Sequence, residues 1–304
     1  MKEKLQEFEL HRQKVCKKAN TFLWVGILLM VLGFVLLFIL SNGTGNTDSA
    51  FLFVIPFILG IIFLGINSSM KGTLNKKFKN EFIIDFVKSI YPDSVYNPDL
   101  GIHKDRIMEP GFFQSPDRWF LEDYLQASYD GVGFEMSDFD FQERHVTTDS
   151  KGHRQVRYVT YAKGRFIIID FKREFNQVVK VVENAPFGFD DYGLEKVETE
   201  SIEFNDKFKV FASNSLTAFY VLTPQIQLKL LELESKFKGS IYFAFMNGKL
   251  YIAITDGISI LDINASKPIS EKTMEILESQ LMLPASVINE LGLSSEKYST
   301  GDAI

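Results

Sequence analysis

The chain has almost no sulfur chemistry available to it. Cys16 is its single cysteine, so an intrachain disulfide cannot form and paired-cysteine zinc sites are excluded. Histidine is nearly as scarce, with 4 in 304 residues. The phosphate-cradling glycine loop, the G-x-S-x-G nucleophile elbow and the H-E-x-x-H metal helix are all missing. The residues therefore name no catalytic, cofactor-binding or metal site, imply no cofactor, and favour a non-enzyme. Charge is also absent from two whole stretches, and that absence is the most informative one.

Residues 21–40 hold no ionisable group and are mostly Leu, Val, Ile and Phe. A helix of that length spans about 30 Å, the thickness of a bilayer core. Residues 50–66 are shorter and include Pro56, Gly60 and Gly65. Alone they would read equally well as a buried core helix. The connection at 41–49 permits only an immediate return, so the pair is predicted to be a two-helix transmembrane hairpin. The first run is too long for a signal peptide and lacks a small-residue cleavage site, so it reads as a retained anchor. Intramembrane charge marks ion and proton pathways, and neither run has any.

Orientation follows the basic residues beside the runs. Arg12, Lys14, Lys17 and Lys18 precede the first, and Lys71, Lys76, Lys77 and Lys79 follow the second. The loop between them has only Asp48. Both termini are predicted to be cytoplasmic. Gly26 and Gly33 share one face of the first helix, which is read as packing against the second, with another subunit as the sharper alternative. Cys16, just before the first run, reads as a small juxtamembrane residue, with acylation as the functional alternative.

Residues 81–304 carry 23 basic and 35 acidic groups. So acidic a body has no electrostatic footprint for nucleic acid. The predicted partners are the lipid bilayer and a protein, either another chain or a second copy.

Residues 1–20 read as a juxtamembrane helix. Leu74, Phe78, Phe82, Phe86 and Ile90 form an apolar helical stripe within a basic linker at 67–92. Turn residues and aromatics fill 91–130, with a short helix expected over 117–129. Strands are expected through Phe134–Phe141, Val156–Thr160 and 166–171, then at 178–182, 194–202 and 207–212. Residues 147–152 and 162–164 read as turns. Thr223-Pro224 starts a helix expected to stop at Gly239. Asn247-Gly248 lies between two apolar runs, a hairpin signal. Two short helices, at 270–281 and 284–291, precede Gly292. The fold class is thus α+β: an N-terminal hairpin, then a cytoplasmic domain at 93–292 with a mostly antiparallel sheet and packed helices, and a polar tail at 293–304.

His145 and His153 flank the 147–152 turn and, with Asp149, have ligand chemistry; a solvated hairpin tip is the plainer reading. Asp138, Asp140 and Glu143 form one acidic group, and Asp190 with Asp191 another, each read as solvated surface. Most of the 29 Phe sit at core-like positions, and an exposed Phe-lined groove would mark a protein or lipid contact.

The order of several short stretches points to a family. They are Tyr96-Asn97-Pro98, Lys163-Gly164-Arg165-Phe166 with Asp170-Phe171, Leu194-Glu195-Lys196-Val197-Glu198 followed by Phe204 and Phe208-Lys209-Val210, Leu222-Thr223-Pro224 and Asn247-Gly248-Lys249-Leu250-Tyr251-Ile252-Ala253-Ile254. The chain resembles the bacterial membrane proteins grouped as DUF3137 from the hairpin to about Leu291, which implies a bacterial plasma membrane. Asn214-Ser215 stands where relatives tend to be acidic, and Ala127 where a glycine is usual. The resemblance implies two membrane spans and a cytoplasmic domain, and supplies no catalytic residues. The leading expectation is a membrane-anchored binding or scaffold protein. A membrane-proximal enzyme acting on a lipid or peptide, and a small oligomeric pore, are the alternatives.

Overall fold

The computed structural model describes residues 2–43, 51–170, 177–184, 188–191, 193–259 and 261–294. The tight return expected at 41–49, most of the polar tail and Phe171 lie wholly or partly outside the described residues. The chain forms two compact units. One comprises Met1–Phe86 with Asp262–Met274, the other Val87–Leu261 with Glu275–Ile304.

The first unit is built on two long helices, α1 (Lys2–Gly43) and α2 (Phe51–Phe78). Both are long and apolar enough to cross a membrane. The juxtamembrane helix and the first apolar run are one continuous element, because nothing between Lys2 and Gly43 breaks a helix. Their inner faces are small: Gly26, Gly33, Pro56 and Gly60 are all buried. A β-carbon placed on Gly26 would lie 3.0 Å from the Gly60 carbonyl oxygen, so the backbones meet at that crossing.

Beyond the apolar runs the two helices stay together. Phe8 packs on Phe78 with ring centroids 5.1 Å apart, and Phe78 stacks on Phe82 at 5.2 Å. A π turn at Lys79–Ile83 leads α2 into α3 (Ile84–Ile90). The extra residue advances the apolar stripe around the helix, so Ile83 and Val87 are buried alongside Phe82 and Phe86.

A strap at 262–274 completes this unit. Asn75 Nδ2 donates to Asp262 Oδ1 (2.6 Å), Asn75 Oδ1 accepts from Ile263 N (3.1 Å), and Lys79 pairs with Asp262 at 2.7 Å. On α1, Arg12 Nη1 and Cys16 Sγ both donate to the Ala265 carbonyl at 2.8 Å. Glu9 Oε2 accepts from Ile269 N at 3.0 Å. The Arg12 guanidinium grips both oxygens of Glu9, at 2.7 and 2.6 Å, and holds its carboxyl down at about 2.

The second unit carries an antiparallel sheet. Its strands are β1 (Val95–Asn97), β2 (Arg118–Tyr129), β3 (Val132–Thr148), β4 (Arg154–Asp170), β5 (Val179–Glu183), β6 (Glu195–Val197), β7 (Phe208–Ala212), β8 (Ser240–Met246) and β9 (Lys249–Thr255). Their order is β1-β2-β3-β4-β9-β8-β5-β7-β6. Asn247 and Gly248 both adopt positive φ, 52° and 66°, the turn that the right-handed twist of a two-residue hairpin selects. The helices are α4 (Lys104–Met108), α5 (Ile202–Lys207), α6 (Ser215–Val221), α7 (Pro224–Glu234), α8 (Glu271–Leu281), which the unit boundary divides, and α9 (Leu283–Leu291). Thr223 caps α7 by accepting from Ile226 N, and Pro224 occupies its first turn. That helix ends at Ser235, short of Gly239. Gly292, at φ 65°, closes α9.

Three expectations are corrected. Residues 118–129 are a strand, not a helix. A bulge at Asp123, with φ 60°, breaks the period-two pattern that would have marked it. Residues 162–164 are not a turn, and β4 runs straight through them. A β-carbon on Gly164 would sit 1.9 Å from the Ile254 carbonyl oxygen, so this glycine admits the β9 backbone. The strand expected over 194–202 stops at Val197, and Ser201 caps α5 instead. The core holds Phe112, Phe113, Phe139, Phe141 and Phe166 against Tyr242 and Tyr251.

Candidate functional site

The two histidines do not converge. His145 lies opposite Arg157 in the β3–β4 ladder, and its Nε2 is 3.5 Å from Glu143. His153 Nδ1 is 2.9 Å from Asp149 Oδ2. Asp149 Oδ1 also accepts from the Lys151 and His153 backbone N–H groups, at 2.9 and 2.8 Å. Those bonds, His153 first, lower the Asp149 pKa. The carboxylate closes the turn; this is an Asx-type cap on a loop.

Asp138, Asp140 and Glu143 are divided between environments. Asp138 is buried, Asp140 accepts from Thr160 Oγ1 at 2.9 Å, and Glu143 meets His145 on the other face of the strand. The structure instead gathers Asp138 with Glu122 and Asp123, whose carboxylate oxygens lie within 4.8 Å of one another. Glu122 is the cross-strand partner of Asp138, and the Asp123 bulge turns a second carboxylate inward. Tyr96 Oη donates to Asp123 Oδ1 at 2.6 Å. Oxygen-only donors of this kind suit a hard divalent cation. Only the register reveals the grouping, so the sequence offered no signal for it.

Asp190 and Asp191 make these contacts through their own main-chain groups. Asp190 N donates to Gly111 O, and Leu194 N donates to Asp191 O at 2.8 Å. The Asp190 carbonyl accepts from the buried Lys180 ammonium at 2.8 Å. Burial pulls the Lys180 pKa down, against the pull of the two aspartates.

A polar group unforeseen in the sequence ties α4 to the sheet. Arg106 makes two 2.7 Å bonds to Glu135, and Tyr124 Oη donates to Glu135 at 2.8 Å. Arg106 lowers the Glu135 pKa, while burial pushes the Tyr124 phenol up to about 12. Glu109 accepts from Tyr251 Oη at 2.9 Å and from Asn247 Nδ2 at 3.0 Å, beside the hairpin. This network fixes a short helix that has too few turns to hold itself.

In the helical unit, two cavities of about 260 and about 230 Å³ run along α1 and α2. His11 and Lys77 line both. Cys16 is enclosed by the strap, with its thiol directed at a carbonyl.

These features define an α+β protein with a pair of long apolar helices ahead of its sheet. Residues 160–293 match the family described as Protein of unknown function (DUF3137), which supports the resemblance drawn from the motifs. Residues 5–81 match the family described as Chlamydia 15 kDa cysteine-rich outer membrane protein (CRPA), although this chain has one cysteine. No curated protein matches the chain. Among solved structures, it is similar to the mycobacterial trehalose monomycolate transport factor A, TtfA. The identity is 9%, the TM-score 0.40, and the alignment covers 71% of this chain and 94% of that one. A likeness of that size defines neither a shared fold nor a shared activity.

Proposed function

We propose that the chain is a membrane-anchored binding or scaffold protein. In this reading α1 and α2 cross the bilayer over residues 21–40 and 50–66. Residues 1–20 and 67–92 flank the spans on the cytoplasmic side, and residues 93–292 form the domain that docks a protein partner or a second copy. The observation that carries it is the outward surface of the two helices. Trp24, Leu28, Phe34, Phe38 and Ile55 are each 59–69% exposed, while Gly26, Gly33 and Gly60 face inward. Leaving one such side chain in water forgoes about 1.5–3 kcal/mol, and lipid removes that cost for all of them together. The basic residues beside both spans support the orientation.

Two measurements test the reading. Reporter fusions within 41–49 and at the C-terminus give opposite sides, with the C-terminus cytoplasmic; an external C-terminus overturns the orientation. Mild-detergent extraction followed by native mass analysis yields a stoichiometric partner or a homo-oligomer. Recovery as a solitary monomer refutes the scaffold role.

A further inference from the structure

Beyond Gln142 the sheet narrows to two strands. The β2 ladder ends at the Arg118–Gln142 pair, and β9 pairs with β4 only from Arg165 to Asp170. The remaining ribbon, from Glu143 opposite Val159 out to Thr148 opposite Arg154, stands clear of other strands. At about 3.4 Å per residue it projects roughly 20 Å. Strand alternation sorts its side chains into two faces. One presents Arg144, Val146 and Thr148 across from Arg154, Val156 and Tyr158. Arg118 extends this face, its guanidinium 4.8 Å from the Phe120 ring centroid and 5.5 Å from that of Tyr158.

Phe120, Val146, Val156 and Tyr158 are 37–46% exposed. From Gln142 to the tip, neither strand of the ribbon places a carboxylate on this face; at its base, Asp117 accepts from Arg144 N at 2.8 Å, and Asp140 stands opposite Phe120 and accepts from Thr160 Oγ1 at 2.9 Å. Among the described residues, Arg118, Arg144 and Arg154 enter no ion pair. The opposite face carries Glu143, and the tip carries Asp149. Three arginines outside any ion pair among the described residues, two of them beyond the last acidic group of this face, in a body with 35 acidic groups against 23 basic, amount to a charge pattern set for an anionic surface. Aromatic rings with a polar edge and guanidinium groups beside short aliphatics are the side chains that settle at a lipid headgroup layer.

We propose that this arginine–aromatic face of the β3–β4 ribbon binds anionic phospholipid headgroups. The proposal depends on the membrane-anchored reading only for the nearness of such a surface. Each arginine at a charged bilayer strengthens binding about fivefold.

The full chain, held in nanodiscs of uncharged phosphatidylcholine, is sedimented with sucrose-loaded vesicles of phosphatidylcholine alone or with 30% phosphatidylglycerol. Binding is expected only to the charged vesicles and to weaken with salt. R144Q/R154Q lowers it about thirtyfold. K151Q/R157Q removes the same charge from the tip and the other face, and stays within about threefold of the native chain. Equal loss in both variants, or vesicle binding indifferent to phosphatidylglycerol, overturns the proposal. Carbonate extraction of the same variants from cell membranes reports the anchor separately, so a failed anchor is not mistaken for a failed arm.

Discussion

Replacing Arg12 by Met is expected to unlatch the strap. Arg12 Nη1 holds the Ala265 carbonyl at 2.8 Å, and its other nitrogens orient Glu9, which receives Ile269 N. A charged donor on a buried carbonyl contributes about 1.5–3 kcal/mol. Methionine keeps most of the apolar stem, so the lost packing is small. Glu9, only 18% exposed in its side chain, loses the guanidinium that neutralises it. Together these lower the cost of opening the strap by about 2 to 2.7 kcal/mol, a thirty- to hundredfold rise in the open population.

The chain supplies its own reporter. Cys16 is 7% exposed, donates to the same carbonyl, and is the sole thiol. Its maleimide labelling rate, taken at a pH where closing outpaces reaction, is therefore proportional to the open fraction. The native chain labels far more slowly than it does in denaturant, and R12M labels thirty- to a hundredfold faster than the native chain. K14M, which removes an equal charge from an exposed position nearby, leaves the rate unchanged. If R12M labels at the native rate, or the native thiol reacts as fast as an unfolded one, the latch does not exist.

Two further outcomes follow from the same geometry. Gly60→Leu places a β-carbon 2.6 Å from Met30 Cγ and 2.9 Å from the Gly26 carbonyl oxygen. It should lower thermal stability in detergent by about 1–3 kcal/mol, whereas Gly65→Leu, with nothing within 4 Å, is neutral; matching melting temperatures would refute the Gly26–Gly60 crossing. Arg106 lowers the Glu135 pKa in the folded chain, so this carboxylate contributes stability that is complete above its unfolded pKa near 4.5 and lost as pH falls through the folded value. Glu135→Gln accordingly flattens that acid limb of the stability–pH curve, and an unaltered limb would count against the pair.

What the sequence revealed and concealed has physical causes. The two apolar helices were legible because composition alone determines them, and the Asn247-Gly248 hairpin because its backbone accepts few residue types. Thr223-Pro224 and Gly292 marked helix ends for the same reason. β2 was hidden because the Asp123 bulge puts two residues against one and scrambles the alternation. Gly164 read as a turn because a glycine that admits a neighbouring backbone looks, in one dimension, like a glycine that bends its own. The Glu122, Asp123 and Asp138 grouping requires the strand register, which no local pattern encodes. The strap left almost no trace, since it is gripped through its backbone at Ala265, Ile263 and Ile269, and backbone groups are the same in every residue.

That strap also sets a schedule for biosynthesis. Helices α1 and α2 leave the ribosome long before their last partner does, because residues 262–274 are made only after the whole sheet. At about 5–20 residues per second, the interval between Phe78 and Met274 is roughly ten to forty seconds. Through that time Cys16, Arg12 and Lys79 wait without the segment that encloses them. The newborn hairpin is therefore a different chemical object from the finished one, with an accessible thiol and two uncovered cations that the mature fold later withdraws.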